Sequence, residues 1–152
     1  MMRVRAAEPG EAEEIARVIN AAFRPAEEFF VEGDRISVEG VRDLFVKGTF
    51  LVADDFAGAI YVEPRGERAY FGLLSVDPAR QGGGIGKVLV SAAEEFARSQ
   101  GCRYMDIRVV NLRTELPPRY EKLGYLHAGV EPWPEGAPSK VPCHFLCMQK
   151  AL

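Results

Sequence analysis

From Val76 to Lys87 the chain reads Val-Asp-Pro-Ala-Arg-Gln-Gly-Gly-Gly-Ile-Gly-Lys, and residues of these types at this spacing suit the binding of a phosphate ester. A β-rich run over residues 69–76 precedes the segment, and an amphipathic helical pattern from residue 86 follows it. A strand that ends in a glycine-rich loop and feeds a helix turns several backbone N–H groups toward one point. The glycines let a ligand approach the main chain, and the helix dipole favours negative charge there. Lys87, in the first helical turn, is placed to reach a bound phosphate.

Glycine spacing separates the known phosphate loops. A Walker loop needs G-x-x-x-x-G-K-[ST], and Val88 follows Lys87, so the magnesium-binding hydroxyl is missing. A dinucleotide fingerprint needs G-x-G-x-x-G, and Lys87 stands where its third glycine belongs. What remains is Gln81-x-x-Gly84-x-Gly86. A second block, Tyr120-Glu121-Lys122-Leu123-Gly124-Tyr125, begins 34 residues after Gly86.

The first pattern resembles the acyl-CoA pyrophosphate loop of the GNAT N-acetyltransferase family, written Q/R-x-x-G-x-G/A. The second is similar to the Y-E-K-x-G-F/Y block that closes the family core. The resemblance implies an α/β (α+β) fold: a mixed, mostly antiparallel sheet flanked by helices, with one central parallel strand pair splayed to hold acyl-CoA. It implies acetyl-CoA as co-substrate and no metal. It assigns the pyrophosphate to the backbone of Gln81, Gly82, Gly83, Gly84, Ile85, Gly86 and Lys87, and the pantetheine arm to main-chain groups of Leu74, Ser75 and Val76. Tyr120 matches the tyrosine that protonates the leaving thiolate in many members, and a phenol of pKa near 10 is protonated at neutral pH.

Two positions depart from the family. The strand over residues 69–76 carries no carboxylate to serve as general base. Glu63 on the neighbouring strand is the nearest substitute; Glu27, Glu28, Glu32, His127, His144 and ordered water are the alternatives. Arg113 stands where many members place an asparagine seven residues before the tyrosine, with Asn111 two positions earlier. Residues 24–36 and the Pro/Gly-rich loop at 131–140, which carries Trp133, are expected to form the acceptor pocket, with Glu32 and Trp133 as substrate contacts. Because Glu27, Glu28, Glu32 and Glu63 cluster in that wall, a small cationic amine or a free peptide N-terminus is expected in preference to an anionic acceptor.

Composition agrees with one domain over residues 1–152, since a chain of this length with 47% hydrophobic residues buries one sizeable core. No apolar run approaches the ~20 residues of a membrane span, and residues 1–8 lack an apolar signal core, so a cytoplasmic protein is expected. A net charge of −3 with scattered basic residues argues against a nucleic-acid partner. Cys102, Cys143 and Cys147 read as reduced core thiols; Cys143 and His144 would face opposite ways on a strand, which disfavours a metal site. The closing strands allow a homodimer, as is common in the family. A non-catalytic acyl-CoA-binding regulatory module is the rival class, discriminated by whether Tyr120 supports turnover.

The elements that must position these residues follow from periodicity. Residues 2–7 form a first strand, residues 10–24 a helix ended by Pro25, and a second helix runs from a Ser37 cap to Gly48. Strands over 49–53 and 57–63 meet at a turn, and a further turn over 64–66 leads to the strand over 69–76. A helix over 86–99 closes at Gly101, and a strand over 102–110 lies parallel to 69–76 through a right-handed crossover. A short helix within 112–124 and a strand pair over 125–130 and 141–150 complete the chain.

Overall fold

A single seven-stranded sheet organises the computed structural model, which describes residues 2–152. The strands are β1 (Val4–Ala6), β2 (Thr49–Ala53), β3 (Gly58–Arg65), β4 (Arg68–Val76), β5 (Tyr104–Val110), β6 (Leu126–Pro132) and β7 (His144–Ala151), in the order β1-β2-β3-β4-β5-β7-β6. All neighbours are antiparallel except β4 and β5, whose parallel pairing is the expected crossover around a helix.

Four helices cover the sheet: α1 (Ala12–Glu27), α2 (Val38–Leu44), α3 (Ile85–Ser99) and α4 (Leu116–Lys122). One face of β2–β5 packs Leu51, Ile60, Val62, Phe71, Met105 and Ile107 against Ile85, Leu89 and Ala93 of α3. The other face packs Phe50, Val52 and Tyr61 against Ile15, Ile19 and Val41 of α1 and α2. Ile15 and Ile19 are fully buried, and each contributes about 1.5–3 kcal/mol by leaving water. Ser37 caps α2 as expected, accepting from Gly40 N.

Several boundaries differ from the sequence expectation for identifiable reasons. Pro25 does not end α1, which continues to Glu27. Its ring removes one hydrogen bond, while Glu28 N bonds Arg24 O, Val31 N bonds Glu27 O, and fully buried Phe30 anchors the turn beyond. Pro64 and Arg65 lie within β3, so the turn into β4 falls at Gly66 and Glu67. Pro64 is beyond the Thr49–Val62 pair that ends β2, where its missing N–H has no strand to serve. β5 starts at Tyr104 because Cys102 is still bonded to the α3 terminus through Ala97 O. Tyr125 stays outside β6, fully buried beneath α4, and the closing strands extend two residues further into the loop than expected at Pro132 while starting later at His144.

Candidate active site

The loop between β4 and α3 is a series of free donors. Asp77 caps a single 3-10 turn over Pro78–Arg80 by accepting from Ala79 N, and Arg80 N bonds Asp77 O. The next assigned bond is Val88 N to Gly84 O, so among the described residues no protein acceptor takes the backbone N–H of any residue from 81 to 87. Gly82 (φ 90°) and Gly84 (φ 81°) adopt the left-handed conformation that lets successive amides converge, and Gly84 is the N-cap of α3. A Cβ built on either glycine meets no protein atom within 4 Å, so the loop's concave side is open. An unpaired amide series on a 15-residue helix dipole is an anion cradle, and it suits a diphosphate. The side chain of Gln81 turns back to donate to Val76 O (3.3 Å), and that of Lys87 lines a groove between β1 and α3 with Met2, Val4 and Ser91, leaving the cradle to the main chain.

Directly above this cradle the central strands separate. β4 and β5 pair only over Arg68–Tyr104, Ala69–Met105 and Tyr70–Asp106. Beyond Tyr70 the β4 edge that faces β5 carries no strand, which exposes the main chain of residues 71–76, including Leu74, Ser75 and Val76. The opening is reinforced by a bulge: Ala59 pairs with Ser75 and Tyr61 with Gly72, so β4 holds one extra residue there. Leu73 takes φ 56° at the bulge, a left-handed conformation that costs a branched residue energy and is held in place by buried Ser75, whose hydroxyl donates to Leu73 O (2.9 Å). An extended polar arm can add to this edge as a strand would.

Tyr120 projects from α4 toward the same opening. Its ring packs against Phe71 and Tyr125, with centroids 6.0 Å from each. Tyr125 is itself fixed by a hydrogen bond to Glu94 (2.7 Å), whose carboxylate also takes Lys150 Nζ (3.0 Å). The Tyr120 hydroxyl has no hydrogen-bond partner among the described residues, and burial pushes its pKa up to about 12, with Tyr70 adding to the rise and Arg113 opposing it. The group is a protonated donor with its bond unspent.

On the opposite face of the sheet, toward α1, two of the four glutamates of the expected negative wall are paired with arginines. Glu63, opposite Tyr70 in the β3–β4 register, accepts from Tyr61 (2.7 Å) and Arg65. Burial would raise its carboxyl, but those bonds and the charges of Arg65 and Lys47 hold it below the ordinary glutamate range. Glu27 is buried and pairs with Arg113 (3.1 Å); burial raises its pKa despite the pull of Arg35 and Arg113. Glu28 and Glu32 are exposed. The expectation that no basic residues offset this wall is therefore corrected for Glu63 and Glu27: Arg65 lies two residues along β3, and Arg113 comes from the segment before α4, 86 residues away.

The remaining expected residues fall as follows. Trp133 follows β6, stacks on Phe145 (5.2 Å) and donates to Ala137 O (3.2 Å). Lys140 ties this loop to the segment after α1 through its N–H to Phe30 O (2.6 Å) and its Nζ to Glu28 O (2.7 Å), so the two expected pocket segments do meet. His127 is exposed beside Glu121 (3.4 Å), and His144 is exposed at the start of β7. Asn111 accepts from His144 N (2.8 Å) and so binds β5 to β7. Arg113 bridges Glu27 and Glu115 (3.0 Å). Sequence reasoning did not single out Tyr70, Leu73, Arg108 or Phe145, all at the splayed strands; only the Arg108 interruption of an apolar strand carried a signal.

The Arg113–Glu27 pair predicts a stability effect. Both side chains are largely buried, so Glu27→Ala leaves a guanidinium with only the half-exposed Glu115 as partner and should cost about 3 kcal/mol, whereas Glu27→Gln keeps an acceptor and should cost less. Denaturant midpoints of the two variants check the order; equal loss in both would mean that shape, not charge pairing, matters there.

Comparison with known proteins agrees with this geometry. A family model described as the acetyltransferase (GNAT) family matches residues 10–125. Over 58 residues the chain is 31% identical to streptothricin acetyltransferase of Streptomyces lavendulae; the stretch is 38% of this chain and 31% of that protein, so under a third of that relative's length is matched. The solved paia N-acetyltransferase of Thermoplasma acidophilum, in complex with coenzyme A, superposes with a TM-score of 0.80 at 17% identity, covering 100% of this chain and 99% of that one. Nourseothricin acetyltransferase gives 0.74 at 23% identity, covering 99% and 98%. At these identities the structural likeness is one of fold.

Proposed function

The chain belongs to the GNAT acetyltransferase family, and from that premise we propose that it moves an acetyl group from acetyl-CoA to a primary amine, on a small molecule or a peptide N-terminus, by direct attack. The observation that carries this reading is the run of unpartnered backbone N–H groups at residues 81–87, set at the foot of the open β4 edge. The amides hold the pyrophosphate, the main chain of Leu74, Ser75 and Val76 takes the pantetheine arm, and the splay aims the thioester between Tyr120 on one face and the acceptor wall on the other. Residues 1–152 act as one domain; its thiols are all free, which supports a cytoplasmic setting. Among the described residues no helix is long and apolar enough to cross a membrane. Leu126 and Val130, exposed on edge strand β6, support a homodimer through the closing strands.

In the reaction the amine nitrogen bonds to the thioester carbon, the C–S bond breaks with its electron pair on sulfur, and the amine proton leaves to solvent. Glu63, with both oxygens engaged, serves as a fixed negative charge that eases approach of the amine rather than as an avid proton acceptor. Tyr120 meets the leaving sulfur. A phenol near 12 facing a thiol near 8.5 makes full proton transfer uphill by about 5 kcal/mol, so Tyr120 acts through a hydrogen bond shared with the thiolate.

The test is release of free thiol from acetyl-CoA, with and without a panel of amines, polyamines, amino acids and peptides. Amine-dependent release supports the reading, and binding without turnover on any amine would favour a regulatory acyl-CoA module. A pH profile adds a second check. kcat/KM for the amine should rise with pH as the acceptor deprotonates, with no alkaline loss from Tyr120 below about pH 11, because its phenol stays protonated until near 12. An activity loss centred near pH 10 would contradict the buried placement of that phenol.

A further inference from the structure

Four arginines gather on the α1 side of the sheet around the splayed strands, and three have strong carboxylate partners. Arg68 makes a two-point contact with Asp106 (2.7 and 2.6 Å) and adds Gln149 (2.9 Å). Arg65 is bonded to Glu63, and Arg113 to Glu27 and Glu115. Arg108 differs. Its only carboxylate contact among the described residues is one long approach to Glu131 (3.5 Å), a side chain on the exposed edge strand β6.

Arg108 is nonetheless held in place. Its guanidinium lies 4.6 Å from the Phe145 ring centroid and 5.5 Å from that of Tyr70, while Trp133 stacks on the same Phe145 ring. These two rings hold the guanidinium in place, Tyr70 also through its hydroxyl, and together with Glu131 they engage only part of its five N–H donors. Arg108 is two residues beyond Asp106, the last β5 residue paired with β4, so it stands on the flank of the opening through which the thioester is presented. Tyr70, which raises the pKa of Tyr120, also interacts with Arg108, which links the two sides of the opening.

We propose that the acceptor is an amino-carboxylate, with its amine at the splay and its carboxylate held by the Arg108 fork, and that Phe145 and Trp133 give an apolar wall for the rest of the molecule. The proposal rests on the acetyl-transfer reading and narrows its substrate class. A planar guanidinium packed in place with donors to spare matches a carboxylate bidentately, and a carboxylate arriving there displaces the weak Glu131 contact. Arg65 and Arg113, paired with Glu63 and Glu27, weaken the repulsion those carboxylates would exert on such an anion.

The experiment measures acetylation of matched triplets: phenylalanine, phenylalaninamide and phenethylamine, and the corresponding methionine set. The wild-type protein should favour the free amino acid over its amide by about 10- to 100-fold in kcat/KM, the worth of a charge-assisted bidentate contact. Arg108→Gln should erase that preference by raising KM for the amino acid while leaving the amide and acetyl-CoA unchanged. Arg108→Lys should restore part of it, since charge returns without the planar fork. Glu131→Gln should lower KM for the amino acid by removing the competitor. A wild-type preference for the amide or the bare amine, equal loss on every acceptor in Arg108→Gln, or no amino acid of either set acetylated by protein that binds acetyl-CoA would overturn the proposal. Calorimetry with acetyl-CoA separates the two levels: absent binding would strike the acetyl-transfer reading itself, whereas intact binding and transfer blind to the carboxylate would overturn only the Arg108 assignment.

Discussion

Tyr120→Phe should lower kcat by about 10- to 1000-fold while the KM for acetyl-CoA changes little, because the hydroxyl's work lies in the transition state. The ring is held by Phe71 and Tyr125, and that packing survives loss of the oxygen. Among the described residues the hydroxyl bonds no protein group, so its removal leaves no buried partner stranded and should not disturb the fold. What disappears is the donor that meets negative charge on sulfur as the C–S bond breaks. Steady-state kinetics on the best acceptor, with thermal unfolding as control, measures this. Wild-type turnover would return Tyr120 to a packing role and revive the regulatory-module reading.

Gly86→Glu should reduce affinity for CoA by at least about 100-fold in a protein that folds as well as the wild type. Gly86 lies in the first turn of α3, outside the left-handed region, and a Cβ there meets only Val76 Cγ2 at 3.8 Å, an ordinary contact. Helix propensity rises on leaving glycine, and a carboxylate suits the dipole at a helix N-terminus. The same carboxylate occupies the anion cradle and repels the pyrophosphate. Gly84 is the poorer probe, since its φ of 81° would strain any side chain and mix folding with binding. Unchanged CoA affinity by calorimetry in folded Gly86→Glu would remove the loop from the cofactor site.

The loop and the fold order were legible because their signals are local. Gly82 and Gly84 advertise positive φ by having no side chain, and the strand–loop–helix–strand run of residues 69–110 leaves one handed way to pair β4 with β5. Leu73 is in the same backbone region as those glycines, yet leucine carries no such signal; the bulge exists because β3 and Ser75 over-determine it. Pro25 misled for the converse reason, a local stop overridden by tertiary anchoring at Phe30. The charge of the acceptor wall differs from the sequence expectation because Glu27 and Glu63 were counted without their arginine partners. Glu27 and Arg113 are 86 residues apart in sequence, and their meeting depends on how the segment before α4 folds over the end of α1. Arg108 was hidden likewise: its meaning comes from Tyr70 on a neighbouring strand and Phe145 on another.

The central claim is that the free amides of residues 81–87 are the pyrophosphate site. Titrating CoA into isotope-labelled protein and following backbone amide shifts tests it residue by residue. The N–H signals of Gly82, Gly83, Gly84, Ile85, Gly86 and Lys87 should move downfield together and saturate with one affinity, as donors to a phosphate do. Saturable binding of CoA with those signals unmoved and shifts centred elsewhere would contradict it.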